Sequence, residues 1–370
     1  MTAPSTLVDA LDGAGVVICC GSGGVGKTTT AAALGLGAAR RGERVLVLTI
    51  DPAKRLADAL GLKEVGNVET RVPLPKISGE LSVAMLDTSA SWDALVRRHA
   101  PDAATRDKIL ANPLYRNITQ RFVQSHDYIA MERLYELQAS AHWDRIVIDT
   151  PPSRHALDFI DAPERMADFF SSSLLRWITL PYRVGGQRAG RLGYLAAKPF
   201  YQVADRILGS QFLEDIAEFF LSFQTMHTGF IRRAKAVSAQ LQDHATRFVV
   251  VSTVEPAPLR EAEFLLSELS RRRLALGALI LNRVYAPEFS DPEAKTAATA
   301  LAAQPEADLR ACGETFLRYA MLAEQQRTQR ERLAFAPDVI VTVPEHDGDI
   351  VSISGLTNLA KQLWMPPDHG

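Results

Sequence analysis

The sequence predicts an α/β fold: a doubly wound, mostly parallel sheet carrying an inserted α-helical subdomain. Three observations predict it. Short, continuous apolar runs recur along the chain, and helical stretches separate most of them. The first two runs are joined by a glycine-rich turn and an alanine-rich helix, which makes one βαβ unit. Residues 154–242 then pass without a convincing buried strand, so the alternation is interrupted there.

In chain order, Gly15 to Cys20 (GVVICC) is an apolar run ending in glycines, and Lys27 to Arg40 is rich in alanine and leucine, so the pair reads as buried strand, loop and helix. Gly42 closes that helix. Arg44 to Ile50 (RVLVLTI) is a second buried strand, ending at Asp51. Further strands are expected at Leu81–Leu86, Arg145–Ile148, Arg247–Ser252, Leu276–Leu281 and Val339–Val343. The expected division is residues 1–153 for the first part of the core, 154–242 for the helical subdomain and 243–370 for the second part of the core.

Composition narrows the function classes. The 41 Lys and Arg against 43 Asp and Glu leave a net charge of -2, which argues against a surface that grips nucleic acid as a whole. The three cysteines, Cys19, Cys20 and Cys312, do not make a disulfide framework. No secretory signal and no run of apolar residues long enough to span a bilayer is found, so a soluble, cytoplasmic protein is expected, with peripheral membrane contact left open.

The segment Gly21-Ser22-Gly23-Gly24-Val25-Gly26-Lys27-Thr28, followed by Thr29, carries the strongest chemistry. Glycines let consecutive backbone N–H groups face a phosphate without side chains blocking the approach. In such a loop Lys27 reaches the β- and γ-phosphates, and the Thr28 hydroxyl ligates the magnesium ion between them. The strand before and the helix after are in the order a P-loop NTPase requires. ATP and Mg2+ are therefore the expected ligands. Phosphate hydrolysis also needs carboxylates at the carboxyl ends of neighbouring strands. Asp149, after Ile146-Val147-Ile148, can hold the metal through its waters, and Asp51 can face the γ-phosphate, although a strand-end aspartate is elsewhere often a turn residue.

The P-loop, the segment Asp51 to Leu60 (DPAKRLADAL) and the segment Asp149 to His155 (DTPPSRH) together resemble the family of the arsenite-pump ATPase ArsA and the tail-anchored-protein targeting ATPase. The similarity extends through Glu255-Pro256, Leu281-Asn282-Arg283 and Val343-Pro344-Glu345. It implies a dimeric ATPase in which the Asp51 and Asp149 segments act as switches and Asp51 polarises the attacking water. It also implies that Asn282 reads adenine and that Pro344 and Glu345 pack over the base. On the residues alone, Asn282 is a plain strand-end asparagine.

Three features depart from the resemblance. Relatives carry lysine before the two central glycines, reaching across the dimer, where this chain has Ser22. That predicts a heterodimer with a paralogue that keeps the lysine, the rival being a homodimer that turns over slowly or uses Lys54 or Arg55. The cysteines offer neither a Cys-x-x-Cys zinc pair nor a three-cysteine arsenite cluster, which disfavours an arsenite pump. Arg154 stands where relatives commonly have glycine.

Within the helical interval, Phe212, Ile216, Phe219, Phe223, Met226 and Phe230 fall on one helical face, either as core or as an apolar groove for a hydrophobic client protein. From Phe169 to Ala204 no acidic residue occurs, while Arg176, Arg183, Arg188, Arg191 and Lys198 alternate with aromatic residues. That stretch reads as a solvated basic face, or as a contact with anionic lipid headgroups or with an acidic partner. The expected function is an ATP-hydrolysing molecular switch acting on a protein or membrane-associated client, with a nucleotide-gated assembly protein of slow turnover as the alternative.

Overall fold

The structure is a computed structural model. It describes residues 6–50, 55–62, 65–75, 77–113, 115–116, 123–152, 157–162, 164–165, 168, 216, 219, 221, 227–333, 337–346, 348, 350 and 352–364. By their internal contacts the residues fall into two compact units, one of Met1–Met85, Ala141–Ala156 and Gln242–Gly370, the other of Leu86–Ser140 and Leu157–Leu241.

The first unit is built on an eight-stranded sheet. Its strands are β1 (Val16–Cys20), β2 (Arg44–Thr49), β3 (Thr70–Arg71), β4 (Glu80–Met85), β5 (Arg145–Asp149), β6 (Thr246–Thr253), β7 (Leu276–Val284) and β8 (Ile340–Pro344), in the spatial order β3-β4-β2-β5-β1-β6-β7-β8. All neighbours pair in parallel except β3 with β4. The expected strands are all present. The two-residue β3 is too short to leave a pattern in the sequence. Strands β1, β2 and β5 are rich in β-branched residues and buried along nearly their whole length, as a sheet covered on both faces demands.

One face of the sheet is covered by α2 (Lys27–Arg40), which follows the glycine loop, and α2 is itself covered by the last helix of the chain, Ile353–Trp364. Leu356, Leu359, Ala360, Leu363 and Trp364 of that helix belong to the same buried cluster as Ala31, Leu34 and Ala38. The approach is so close that a Cβ on Gly37 would collide with the Trp364 indole. The apolar face of this last helix is therefore spent on the core. No helix among the described residues is long and apolar enough to cross a membrane.

The remaining helices follow in chain order: α1 (Leu7–Ala10) before β1, α3 (Arg55–Ala59) after β2, and α4 (Thr88–His99), α5 (Ala103–Ala111) and α6 (Val123–Ala139) between β4 and β5. Then come α7 (His227–Leu241), α8 (Pro256–Arg271) between β6 and β7, α9 (Pro292–Ala302) and α10 (Ala307–Glu331) before β8, and the last helix, α11.

The helical unit differs from the expected subdomain of residues 154–242, because Leu86–Ser140 belongs to it as well. The reason is tertiary. Trp92 of α4, Tyr128 of α6 and Phe230 of α7 form a ring cluster with centroids 5.7 to 6.4 Å apart, and Glu132 of α6 pairs with Arg233 of α7. In sequence, α4 to α6 look like ordinary crossover helices, because their partners lie about a hundred residues further on. Of the aromatic stripe, Phe219 and Phe230 are buried and Ile216 is half-buried, whereas the side chains of Phe212, Phe223 and Met226 lie outside the described residues. The rings that are described are core rings. The basic stretch from Phe169 to Ala204 lies outside the described residues.

Candidate functional site

The glycine loop connects β1, a central strand, to α2. Its backbone needs glycine at two places above all. Gly26 has φ +94 and a Cβ there would strike the Asn282 side-chain amide, while Gly21 has φ +154 and a Cβ there would strike the Val251 carbonyl oxygen of β6. These backbone requirements fix the curve of the loop, which ends at the start of α2, where free N–H groups and the helix dipole favour an anion. Ser22 and Lys27 are both buried, and Lys27 Nζ donates a hydrogen bond to the Ser22 carbonyl oxygen at 2.7 Å, which keeps the ammonium folded over the loop.

Asp149 is the last residue of β5, which lies between β1 and β2, and the register sets it beside Cys19 on one side and Thr49 on the other. Its carboxylate is completely buried. Oδ2 accepts from the Thr28 hydroxyl at 2.7 Å and from the Thr49 hydroxyl at 3.0 Å. Thr28 and Asp149, more than a hundred residues apart in sequence, are thus in direct contact at the first turn of α2. Thr49 was missed by the sequence reading. Its only signal is a hydroxyl at the end of β2, and its relevance depends on strand register. Thr150 donates to the Cys19 carbonyl oxygen at 2.8 Å, which ties the segment after β5 to β1.

Beyond the loop, Gly26, Thr29, Asn282, Pro344 and Glu345 line one cavity of about 390 Å³, together with Arg283, His346, Gly348, Ile350 and Leu359. That volume is ordinary for a small-ligand site. Asn282, half-buried, directly follows the buried part of β7, and its Nδ2 donates to the Val25 carbonyl oxygen of the glycine loop at 2.8 Å. The next residue, Arg283, takes a left-handed backbone at φ +58, where the β7–β8 ladder loses register. Glu345 N donates to the Val284 carbonyl oxygen at 2.9 Å and closes the far wall. Arg283, part of the Leu281-Asn282-Arg283 segment, carries no site role in the sequence analysis and His346 is absent from it, because which way a residue faces near a strand end depends on the turn that follows.

Asp51 lies outside the described residues, as do Pro52, Ala53, Lys54, Arg154 and His155. The cysteines are in no position to trap arsenic. Cys19 and Cys20 are buried in β1, where burial raises both thiols, Cys20 to about 12, so they stay protonated at neutral pH, and Cys312 is exposed on α10. Among the described residues no group of three or more His, Cys, Asp or Glu could hold a metal ion, so the oxygen pair of Thr28 and Asp149 must be judged together with phosphate oxygens from a ligand.

A parallel sheet whose central strand runs into this loop, with a buried aspartate from the adjacent strand against the Thr28 hydroxyl, defines a P-loop nucleotide hydrolase. Comparison with known proteins gives the family. The profile described as anion-transporting ATPase, ArsA, matches residues 14–365, and the chain belongs to that family. It is an ATPase, and ATP is its ligand. Its relatives include ATPase GET3 of Malassezia globosa, 26% identical over 291 residues and covering 77% of each chain. ATPase get3 of Aspergillus terreus is 27% identical over 275 residues, 72% of each chain. ATPase ASNA1 homolog 1 of Paramecium tetraurelia is 24% identical over 273 residues, 72% of this chain and 74% of its own.

Proposed function

We propose that the chain is an ATP-driven molecular switch of the tail-anchored-protein targeting type, which couples nucleotide-dependent closure of a dimer to a hydrophobic protein client in the cytoplasm or at a membrane surface. The observation that carries this reading is the 2.7 Å contact between Thr28 and Asp149 beside the glycine loop. Two hard oxygen donors at that point suit a magnesium ion that also binds phosphate, with Thr28 as a direct ligand and Asp149 held through water. When bound, that ion neutralises charge on the phosphates.

The chain's own residues do the rest. Backbone N–H groups of Gly21 to Thr28 hold the phosphates, with Thr29 beside them. Lys27 leaves the Ser22 carbonyl for the phosphate oxygens, a charge-assisted contact stronger than the one it gives up. Asp51 accepts a hydrogen bond from the attacking water and orients it. The new P–O bond forms as the bond to the β-phosphate breaks, giving ADP and phosphate. Asn282 reads the adenine edge, and Pro344 and Glu345 close over the base.

Ser22 supports unequal sites. It is uncharged and buried in its own protomer, so a homodimer would lack a lysine reaching across to each site. A heterodimer with a lysine-bearing paralogue would complete this one. The same residue favours the second reading, a nucleotide-gated assembly protein in which hydrolysis is slow.

Asp51→Asn tests the chemistry: ATP binding is retained and single-turnover hydrolysis falls by about 100-fold or more, while a wild-type rate removes Asp51 from the mechanism. Turnover of the chain alone, of Ser22→Lys and of the chain mixed with a paralogue tests the pairing, and fast turnover unaffected by either change rules out a missing lysine. For the client, Asp51→Asn with ATP should bind a labelled single-span apolar helix better than it does with ADP; equal binding in both states favours the assembly reading. Flotation with anionic vesicles at low salt tests the membrane surface, and absence of binding in both nucleotide states removes it.

A further inference from the structure

We infer that Gln326 of α10 is a positioning residue for the nucleotide site, because its amide brackets Val284 at the end of β7, directly after Asn282 and Arg283. Gln326 Nε2 donates to the Arg283 carbonyl oxygen at 3.1 Å, and Gln326 Oε1 accepts from the Tyr285 N–H at 3.0 Å. One side chain therefore satisfies the backbone on both sides of Val284. Arg283, the penultimate residue of β7, has φ +58, a conformation that a non-glycine residue keeps only where its surroundings hold it. The Asn282 carboxamide is tied in at both ends. Its Oδ1 accepts from the Arg283 N–H at 3.0 Å, and its Nδ2 donates to the Val25 carbonyl oxygen at 2.8 Å. A chain of hydrogen bonds thus runs from α10 through the exit turn of β7 to the glycine loop. Arg283 and Asn282 line the cavity, and Gln326 does not.

The consequence is that Asn282 supports the phosphate-binding loop from behind as well as facing the base site, and Gln326 holds Asn282 in place. Without the clamp the turn relaxes, and nucleotide binding must re-form it, so the loss falls on affinity and not on stability alone. This inference rests on the nucleotide-site reading above, and the experiment separates the two.

Gln326→Met keeps the length and removes both bonds, whereas Gln326→Glu keeps the acceptor for Tyr285 and loses the donor. Titration calorimetry with ATP and with inorganic tripolyphosphate, which has no base, is run beside thermal unfolding without ligand. Gln326→Met should weaken both ligands by about fivefold to tenfold, as expected for two ordinary hydrogen bonds, and Gln326→Glu by less. KM should rise with kcat nearly unchanged. Wild-type affinity for both ligands in Gln326→Met, whatever its melting temperature, overturns the positioning role. If Gln326→Met does not fold, wild-type affinities in Gln326→Glu overturn it equally. A loss confined to ATP overturns the link to the glycine loop. If Lys27→Ala also binds ATP like wild type, the nucleotide-site reading itself has failed.

Discussion

The two compact units use buried polarity in opposite ways. In the sheet unit, Lys27, Thr28, Thr49, Asp149 and Asn282 come from four separate places in the sequence and converge on one short loop. In the helical unit the buried charges close on each other. Arg233 pairs with Glu132 and lies over the Phe230 ring, 5.1 Å from its centroid, while the Tyr128 hydroxyl donates to Glu132 at 2.9 Å. Burial raises the Glu132 carboxyl, and Arg233 opposes that shift. The first arrangement holds groups ready for an anionic ligand. The second fixes which helices pack together, and it costs desolvation that its own partners must offset. On the proposed function, the same kind of residue serves a ligand in one unit and helix register in the other.

The contrast can be broken by mutation. Lys27→Ala should lower ATP affinity by about 100-fold or more while leaving unfolding nearly unchanged, because the ammonium's strongest partner is the phosphate. Calorimetry beside urea unfolding checks both halves. Glu132→Gln should do the reverse. It leaves Arg233 buried without its counter-charge, which costs about 3–5 kcal/mol in denaturant unfolding and does not touch the nucleotide contacts. Replacing Glu132 and Arg233 together by Met should recover most of that loss.

Gly26→Ala sharpens the comparison within the sheet unit. The left-handed backbone costs an alanine roughly 1–2 kcal/mol, and the new Cβ displaces Asn282, so stability and ATP affinity should fall together. The smallest effect is at the surface. Arg44 donates to Asp144 from its guanidinium and its backbone N–H, which pulls the Asp144 carboxyl down to about 2. Because that value is depressed, the pair stabilises the fold above about pH 4 and the contribution disappears as pH falls toward 2. Both groups are nearly half exposed and screened by solvent, so the contribution is small, and Asp144→Asn should flatten that part of the acid-unfolding curve.

The sequence was informative where a single strand or loop carries the signal. The apolar runs located the long strands of the sheet, because a strand buried on both faces, such as β1 or β5, is apolar along nearly its whole length. The glycine loop stood out through the residue types that a phosphate site needs. Asn282, Pro344 and Glu345 came from the family resemblance, and the fold brings them to one cavity. Thr49, Gln326 and the left-handed backbone at Arg283 were not legible, since each depends on strand register, on a local turn or on a helix packed from far along the chain. The membership of α4 to α6 in the helical unit was hidden for the same reason: Trp92 and Glu132 declare their role only beside Phe230 and Arg233.

Hydrogen exchange with and without ATP tests the nucleotide site most directly. An ATP site built from the glycine loop and the ends of β7 and β8 predicts slower exchange at the amides of residues 23–30, 283–285 and 345–346, and loss of that protection in Lys27→Ala. Exchange at those amides that is unchanged by saturating ATP would contradict it.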